Sequence, residues 1–208
     1  MSTRQHRSPP VVFSTTAAPT WLRIGTKVAS LWSFAETTYT ATMDTLISLV
    51  AQYAIFLSLV VAVVVWLRLP RQQKWEFAVT AVVGGLIALA FLKLGSALYF
   101  DQRPFVTQHI APLFPHAPDN GFPSDHTLLS MLLAMCVLFY SRRWGAVLVA
   151  ITLLLGVARV EAYVHHPIDI LAAIVFAVVA ALLARPVARW LTRRWPLGAT
   201  DARAREAG

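Results

Sequence analysis

Charge is the first thing this chain is short of. Only 13% of its 208 residues are charged, whereas 57% are hydrophobic and the mean hydropathy is +0.61. An ordinary soluble domain carries about 25% charged residues, so a soluble globular protein is excluded and an integral membrane protein is implied. Cysteine is nearly absent too. The single Cys136 sits inside an apolar run, which rules out an intrachain disulfide and leaves the redox compartment unread. Residues Met1 to Thr20 lack the apolar core of a signal peptide and, rich in Ser, Thr, Pro and Arg, read as a disordered tail. No internal repeat and no linker divides the apolar runs. Acidic residues are scarcer than basic ones, 10 against 18, for a net charge of +8. Such an excess can signal nucleic acid, but here Lys and Arg gather at the ends of apolar runs and in the tails. Membrane orientation accounts for that pattern, and no nucleic-acid partner is expected.

What is present is a series of apolar runs, which predicts an all-α, polytopic membrane helix bundle of about five spans. From Trp21 to Ala35, apolar residues recur at Trp21, Ile24, Val28, Leu31, Trp32 and Ala35, with Arg23, Lys27 and Ser30 opposite. This pattern predicts an amphipathic helix lying on the membrane surface, or a loosely packed helix with no role in lipid contact. Leu46 to Leu67 is free of charge and long enough to cross about 30 Å of hydrocarbon. Phe77 to Phe100 makes a second span with one charge, Lys93. A polar, proline-rich loop runs from Asp101 to Pro123. The third span opens at Ser124 and ends near Tyr140, the fourth runs from Trp144 to about Val160, and the fifth from Pro167 to near Arg185. The expected organisation is a tail and interfacial helix over 1–42, a membrane domain over 43–195 and a basic cytoplasmic tail over 196–208.

Three polar stretches interrupt this grease. Arg159 to Asp169 reads RVEAYVHHPID. Pro167 suits the first position of a helix, and Asp169 falls in that helix's first turn. From there it can reach back to His165, hold one ring nitrogen and leave the other free and basic. Gly121 to His126, GFPSDH, has an N-cap serine followed by a polar first turn. Arg103-Pro104 closes the second span. Each span flips the chain across the membrane, so the loops after spans two and four share a side, opposite the Arg-rich turns and the basic tail. That places the histidines outside and the C-terminus in the cytoplasm. The N-terminal tail also falls outside despite Arg4, Arg7, Arg23 and Lys27, being outnumbered by the basic groups on the other face.

Arg103, Ser124, His126, Arg159, His165 and Asp169 can therefore converge at one face. Two forked cations and a helix N-terminus make a site for an anion such as phosphate. Two histidines there can divide the labour of attack on phosphorus and proton donation to the departing oxygen, with no metal or other cofactor required. Taken singly, Asp169, Asp125 and His126 could be helix-end residues, and Arg159 a partner of Glu161. Together they are too many ionisable groups at membrane depth to be idle.

With these residues in place, the chain resembles the membrane-bound type 2 phosphatidic acid phosphatase superfamily. That family's third motif is Ser-Arg, five residues, His, three residues, Asp, and here Ala158, Arg159, His165 and Asp169 stand in register with only the leading Ser lost. The second motif, Pro-Ser-Gly-His, appears as Pro123-Ser124-Asp125-His126. The first, Lys, six residues, Arg-Pro, keeps Arg103-Pro104, with Ser96 at the lysine position and Lys93 one turn earlier. The resemblance implies that His165 is the nucleophile forming a phosphohistidine, Asp169 its orienter and His126 the acid. It implies phosphate binding by Arg103, Ser124 and Arg159, with Lys93 either holding a distal phosphate or facing a polar cavity. Asp125, Pro104 and His166 would support the site. RPFV at Arg103 to Val106 and the FPSDH run look most like bacterial undecaprenyl-diphosphate phosphatases of the bacitracin-resistance type. A polyprenyl diphosphate in the bacterial plasma membrane is then the expected substrate, cleaved to the monophosphate. Another lipid phosphate, transfer to an acceptor other than water, a flippase that binds without cleaving, and a zinc site of His126, His165 and Asp169 are the competing readings. His109 and His116 are expected outside the motifs, in a solvated loop able to close over the substrate, and the oligomeric state is not specified by the sequence.

Overall fold

The computed structural model describes residues 20–195, and the tail expectations for 1–19 and 196–208 fall outside them. Six helices follow in order: α1 (Thr20–Arg68), α2 (Arg71–Leu98), α3 (Pro104–Thr107), α4 (Asp125–Leu138), α5 (Arg142–Glu161) and α6 (Pro167–Arg194). Among the described residues there is no strand, only an isolated antiparallel bridge between Gln102 and Asn120. Met43 onward forms one compact unit. The backbone of 20–42 is helical. Of its expected apolar stripe, only Trp32 lies among the described side chains, and it is exposed.

Four helical stretches, Glu36–Arg68, Arg71–Leu98, Arg142–Glu161 and Pro167–Arg194, are long and apolar enough to cross a membrane. The protein is a multi-pass membrane protein. The third expected span is α4, whose 14 residues rise only about 21 Å. It is a short apolar helix enclosed by the others. The fifth runs further than the apolar pattern suggested: α6 passes through Pro186 and ends at Arg194. Neighbours hold this extension in place. Arg189 Nε donates to Glu76 at 3.1 Å, and Gln72 donates to the Thr192 carbonyl at 3.4 Å.

Helices in lipid gain little from apolar burial and associate through close backbone approach. α6 supplies that with Ala173, Ala177, Ala180, Ala181, Ala184 and Ala188, all buried, at spacings of three and four. It packs on α2, α4 and α5, and α4 lies against both α2 and α5. On α2, a methyl at Gly84 would come within 3.1 Å of Leu132 and 3.4 Å of the Ala184 Cβ, which gives that glycine its reason. Gly85 faces open space. Inside the bundle a hydroxyl chain joins three helices, Ser58 to Ser130 at 2.9 Å and Ser130 to Thr152 at 2.8 Å. It ends on the Ala54 and Leu148 carbonyls, so no hydroxyl is left unpaired where that would be costly.

Candidate active site

The site is built where the loop after α2 meets the turn between α5 and α6. At the end of α5 the chain turns at Tyr163, whose φ of 62° is left-handed. Such a residue reverses direction abruptly. Its carbonyl accepts from Phe105 N at 3.0 Å, which joins the two loops. Two residues on, His165 is almost wholly buried, and α6 begins at Pro167 with His166 as its N-cap. Asp169 Oδ2 reaches back to accept from His166 N at 2.9 Å and lies 3.2 Å from His165 Nδ1.

The other ring nitrogen, His165 Nε2, lies 3.4 Å from Arg103 Nη1 and 3.3 Å from Arg159 Nη2. A guanidinium can only donate, so Nε2 carries a lone pair and Nδ1 carries the proton given to Asp169. Burial is the main force holding the His165 pKa below its usual 6.5; Arg159 and Arg103 add to it and the bond to Asp169 opposes it. The result is a neutral, correctly tautomerised imidazole with its free lone pair aimed between two cations. An imidazole in this state has the free lone pair that nucleophilic attack requires, beside cations able to hold an anion.

Both arginines are buried and fixed by backbone. Arg103 Nη1 donates to the Val164 carbonyl at 2.7 Å, Nε to Asp119 at 2.8 Å and Nη2 to the Asn120 carbonyl at 3.5 Å. Arg159 Nη1 donates to the Ala51 carbonyl of α1 at 3.1 Å, and Nη2 also meets His116 Nε2 at 3.2 Å. Its Nε is buried without a partner among the described residues. Pro104 is buried as the first residue of α3, directly after Arg103 at the N-cap.

On α4, Asp125 Oδ1 lies 2.8 Å from His126 Nδ1 and accepts from His126 N at 2.7 Å. Asp125 therefore does for His126 what Asp169 does for His165, and Nε2 is the nitrogen left for a proton transfer. His126 and Arg159 line an open cavity of about 420 Å³ with Gln52, Tyr53, Phe56, Phe114 and His116. Ser124 is the N-cap of α4, buried, with its Oγ donating to Thr127 at 3.1 Å. Its backbone N donates to the Asp169 carbonyl at 3.3 Å, which ties α4 to α6.

The structure thus brings together Arg103, Arg159, His165 and Asp169 by direct contact, with His126 on the shared cavity. Lys93 is not among them. It stands exposed on α2, and its described bond is a carbonyl accepting from Ser96 at 3.1 Å. His166 pairs with Asp101 instead, Nδ1 to Oδ2 at 3.0 Å. Donor atoms of Asp101, His166 and Asp169 lie within 4.8 Å of one another. Burial, then the nearby Asp169, raises the Asp101 pKa, while His166 opposes.

Several participants carry no sequence signal. Asn120 accepts from Asp101 N and Phe122 N, at 2.9 and 3.0 Å, and donates to the Ser96 and Tyr99 carbonyls, both at 3.1 Å. This clamps the loop onto the end of α2. A methyl at Gly121 would sit 3.1 Å from Asp169 Oδ2, tighter than an ordinary contact, so glycine suits the close approach of the loop. The Asn-Gly pair at least marks a turn. His116 has no such flag, yet it reaches Arg159.

The fold and this pair of histidine–carboxylate dyads around buried arginines define a phosphate-handling membrane enzyme, and the comparisons place it. Residues 73–193 match the PAP2 superfamily, and the chain belongs to that family of phosphatases. It is similar to the undecaprenyl-diphosphatase BcrC of Bacillus subtilis (strain 168), 31% identical over 70% of this chain and 75% of that one. The bacitracin transport permease protein BcrC of Bacillus licheniformis is 26% identical over 67% of this chain and 69% of its own. The crystal structure of Aquifex aeolicus LpxE aligns with a TM-score of 0.52 over 69% of this chain and 85% of that one. At 17% identity, this is a likeness of fold alone.

Proposed function

We propose that this protein is a metal-independent lipid phosphatase that hydrolyses a polyprenyl diphosphate, such as undecaprenyl diphosphate, to the monophosphate through a phosphohistidine. The observation that carries the reading is His165, with Nδ1 on Asp169 and Nε2 between two guanidinium groups at 3.3 and 3.4 Å. The terminal phosphoryl group enters between the arginines, which pass from the ring nitrogen to its oxygens. Nε2 attacks phosphorus, an N–P bond forms and the P–O bond to the lipid monophosphate breaks. His126, as an imidazolium whose Nδ1–H rests on Asp125, gives its Nε2 proton to that leaving oxygen. Water then attacks the phosphohistidine, His126 takes the water's proton, and phosphate departs. The arginines hold the charge that spreads over the equatorial oxygens.

Two facing cations at Nε2 also speak against His126, His165 and Asp169 as zinc ligands, because a third cation would be repelled there. The polyprenyl substrate rests on the likeness to a relative named for undecaprenyl diphosphate. The site is proposed to face outward in a bacterial plasma membrane, with the C-terminus cytoplasmic, from the distribution of arginines.

The test is phosphate release from undecaprenyl diphosphate by purified protein in detergent with EDTA, wild type beside His165→Ala. Release that survives EDTA and is lost in the variant is expected. Loss with EDTA would sink the metal-free chemistry. Release only from phosphatidate or phosphatidylglycerophosphate would change the substrate, and binding without release from any lipid would favour a flippase.

A further inference from the structure

We propose that His116 is a specificity-determining residue that reads the second phosphate of the substrate, favouring a diphosphate ester over a monophosphate ester. The proposal rests on the hydrolytic reading above and deepens it.

The first ground is position. His116 Nε2 lies 3.2 Å from Arg159 Nη2, and that same nitrogen is 3.3 Å from His165 Nε2. The two rings stand nearly perpendicular, at 85°, with centroids 6.4 Å apart. His116 therefore occupies the same guanidinium nitrogen that faces His165. It does not hang there loosely: Phe114 packs against it at 6.1 Å. The preceding Leu113 donates to the Ala162 carbonyl at 3.4 Å and accepts from Ser48, also at 3.4 Å.

The second ground is the route in. His165 is buried, whereas His116 and His126 both line the open cavity, whose Tyr53, Phe56 and Phe114 suit a lipid chain. A phosphate bound for His165 from this cavity passes His116. Because a guanidinium only donates, His116 meets Arg159 as a neutral acceptor. Burial first, then Arg103 and Arg159, pushes its pKa down to about 4. Such an acceptor is a stand-in for a phosphate oxygen, to be displaced when a real one arrives.

The third ground is what displacement exposes. Once the transferred phosphoryl group takes Arg159, including its unpartnered Nε, the negative charge that arrives favours protonation of His116. The freed imidazolium lies beside the cavity, where the next group of the substrate sits. In a diphosphate that group is a second phosphate with charged non-bridging oxygens, which His116 can bind while His126 serves the bridging oxygen. In a monophosphate ester it is an alkyl carbon, which offers His116 nothing.

The experiment compares wild type, His116→Ala and His116→Gln on undecaprenyl diphosphate and phosphatidate. It also measures binding of inorganic pyrophosphate and orthophosphate by calorimetry, which needs no turnover, and the thermal midpoint of each variant. A charge-assisted hydrogen bond to phosphate gives an expected fall of about tenfold to a hundredfold in diphosphate kcat/KM. Phosphatidate should change by less than about threefold on the same scale. Pyrophosphate affinity should fall with the diphosphate rate while orthophosphate affinity does not. Equal loss on both lipids and both anions, or no loss on either, overturns the proposal. If wild type hydrolyses neither lipid, the hydrolytic reading fails. The pyrophosphate preference and its loss in the variants would then still support His116, and absence of any preference in wild type would overturn it.

Discussion

The proposed attack of His165 on phosphorus needs a free Nε2 lone pair, and the surroundings of the ring keep it so. Burial and the two arginines lower its pKa from 6.5. The protonated, inactive form therefore accumulates only as pH falls below the usual histidine range. The expected acid limb of kcat/KM lies below 6.5, and a limb above that value in a pH profile would contradict the assigned environment. Asp169 fixes the tautomer. Asp169→Asn puts an amide where only an acceptor serves and invites the proton onto Nε2, so kcat should fall by about 10³ to 10⁴ with the fold intact. Asp125→Asn acts on His126 in the same way but on an exposed pair, and a smaller fall, about tenfold to a hundredfold, is expected in the same assay. Lys93, expected either to hold a distal phosphate or to face a polar cavity, stands exposed on α2, outside the Arg103–Arg159–His165 contacts.

The loop between α2 and α4 positions Arg103, and Asn120 holds that loop with four hydrogen bonds. Asn120→Ala should lower stability by about 2 kcal/mol, since each neutral bond contributes about 1 kcal/mol and they are not fully additive. With Arg103 less constrained, KM should rise more than kcat falls. Thermal unfolding in detergent and steady-state kinetics would check the two parts. The helices were largely legible because apolar length is a physical requirement for crossing lipid. Their ends were less so. The apolar run of the last span ends near Arg185, where charge returns, while the helix itself continues to Arg194. Its small residues keep packing on neighbours, and Glu76 pairs with Arg189. α3 was not foreseen, because four residues around Pro104 carry no helical period.

Across the whole molecule, the proposed orientation puts Ala117, on the cavity, and Arg143, in the first turn of α5, on opposite sides. Both are exposed, and the one native cysteine, Cys136, is buried. In intact cells an impermeant thiol reagent should label Ala117→Cys and not Arg143→Cys; the reverse pattern would invert the topology. Sequence alone determined that the chain lives in a membrane, that its helices place three polar stretches together, and that Arg103, Arg159, His165 and Asp169 belong to one site. Hydropathy and i,i+4 reach are local rules, and alternation of sides needs only a count of spans. Tertiary structure alone decided which distant atoms meet: Asp101 with His166, Asn120 across the loop, and His116 on Arg159. Each of those contacts has at least one partner in the loop between α2 and α4 that no motif marks, because a loop's path is set by the groups it reaches once the helices have packed.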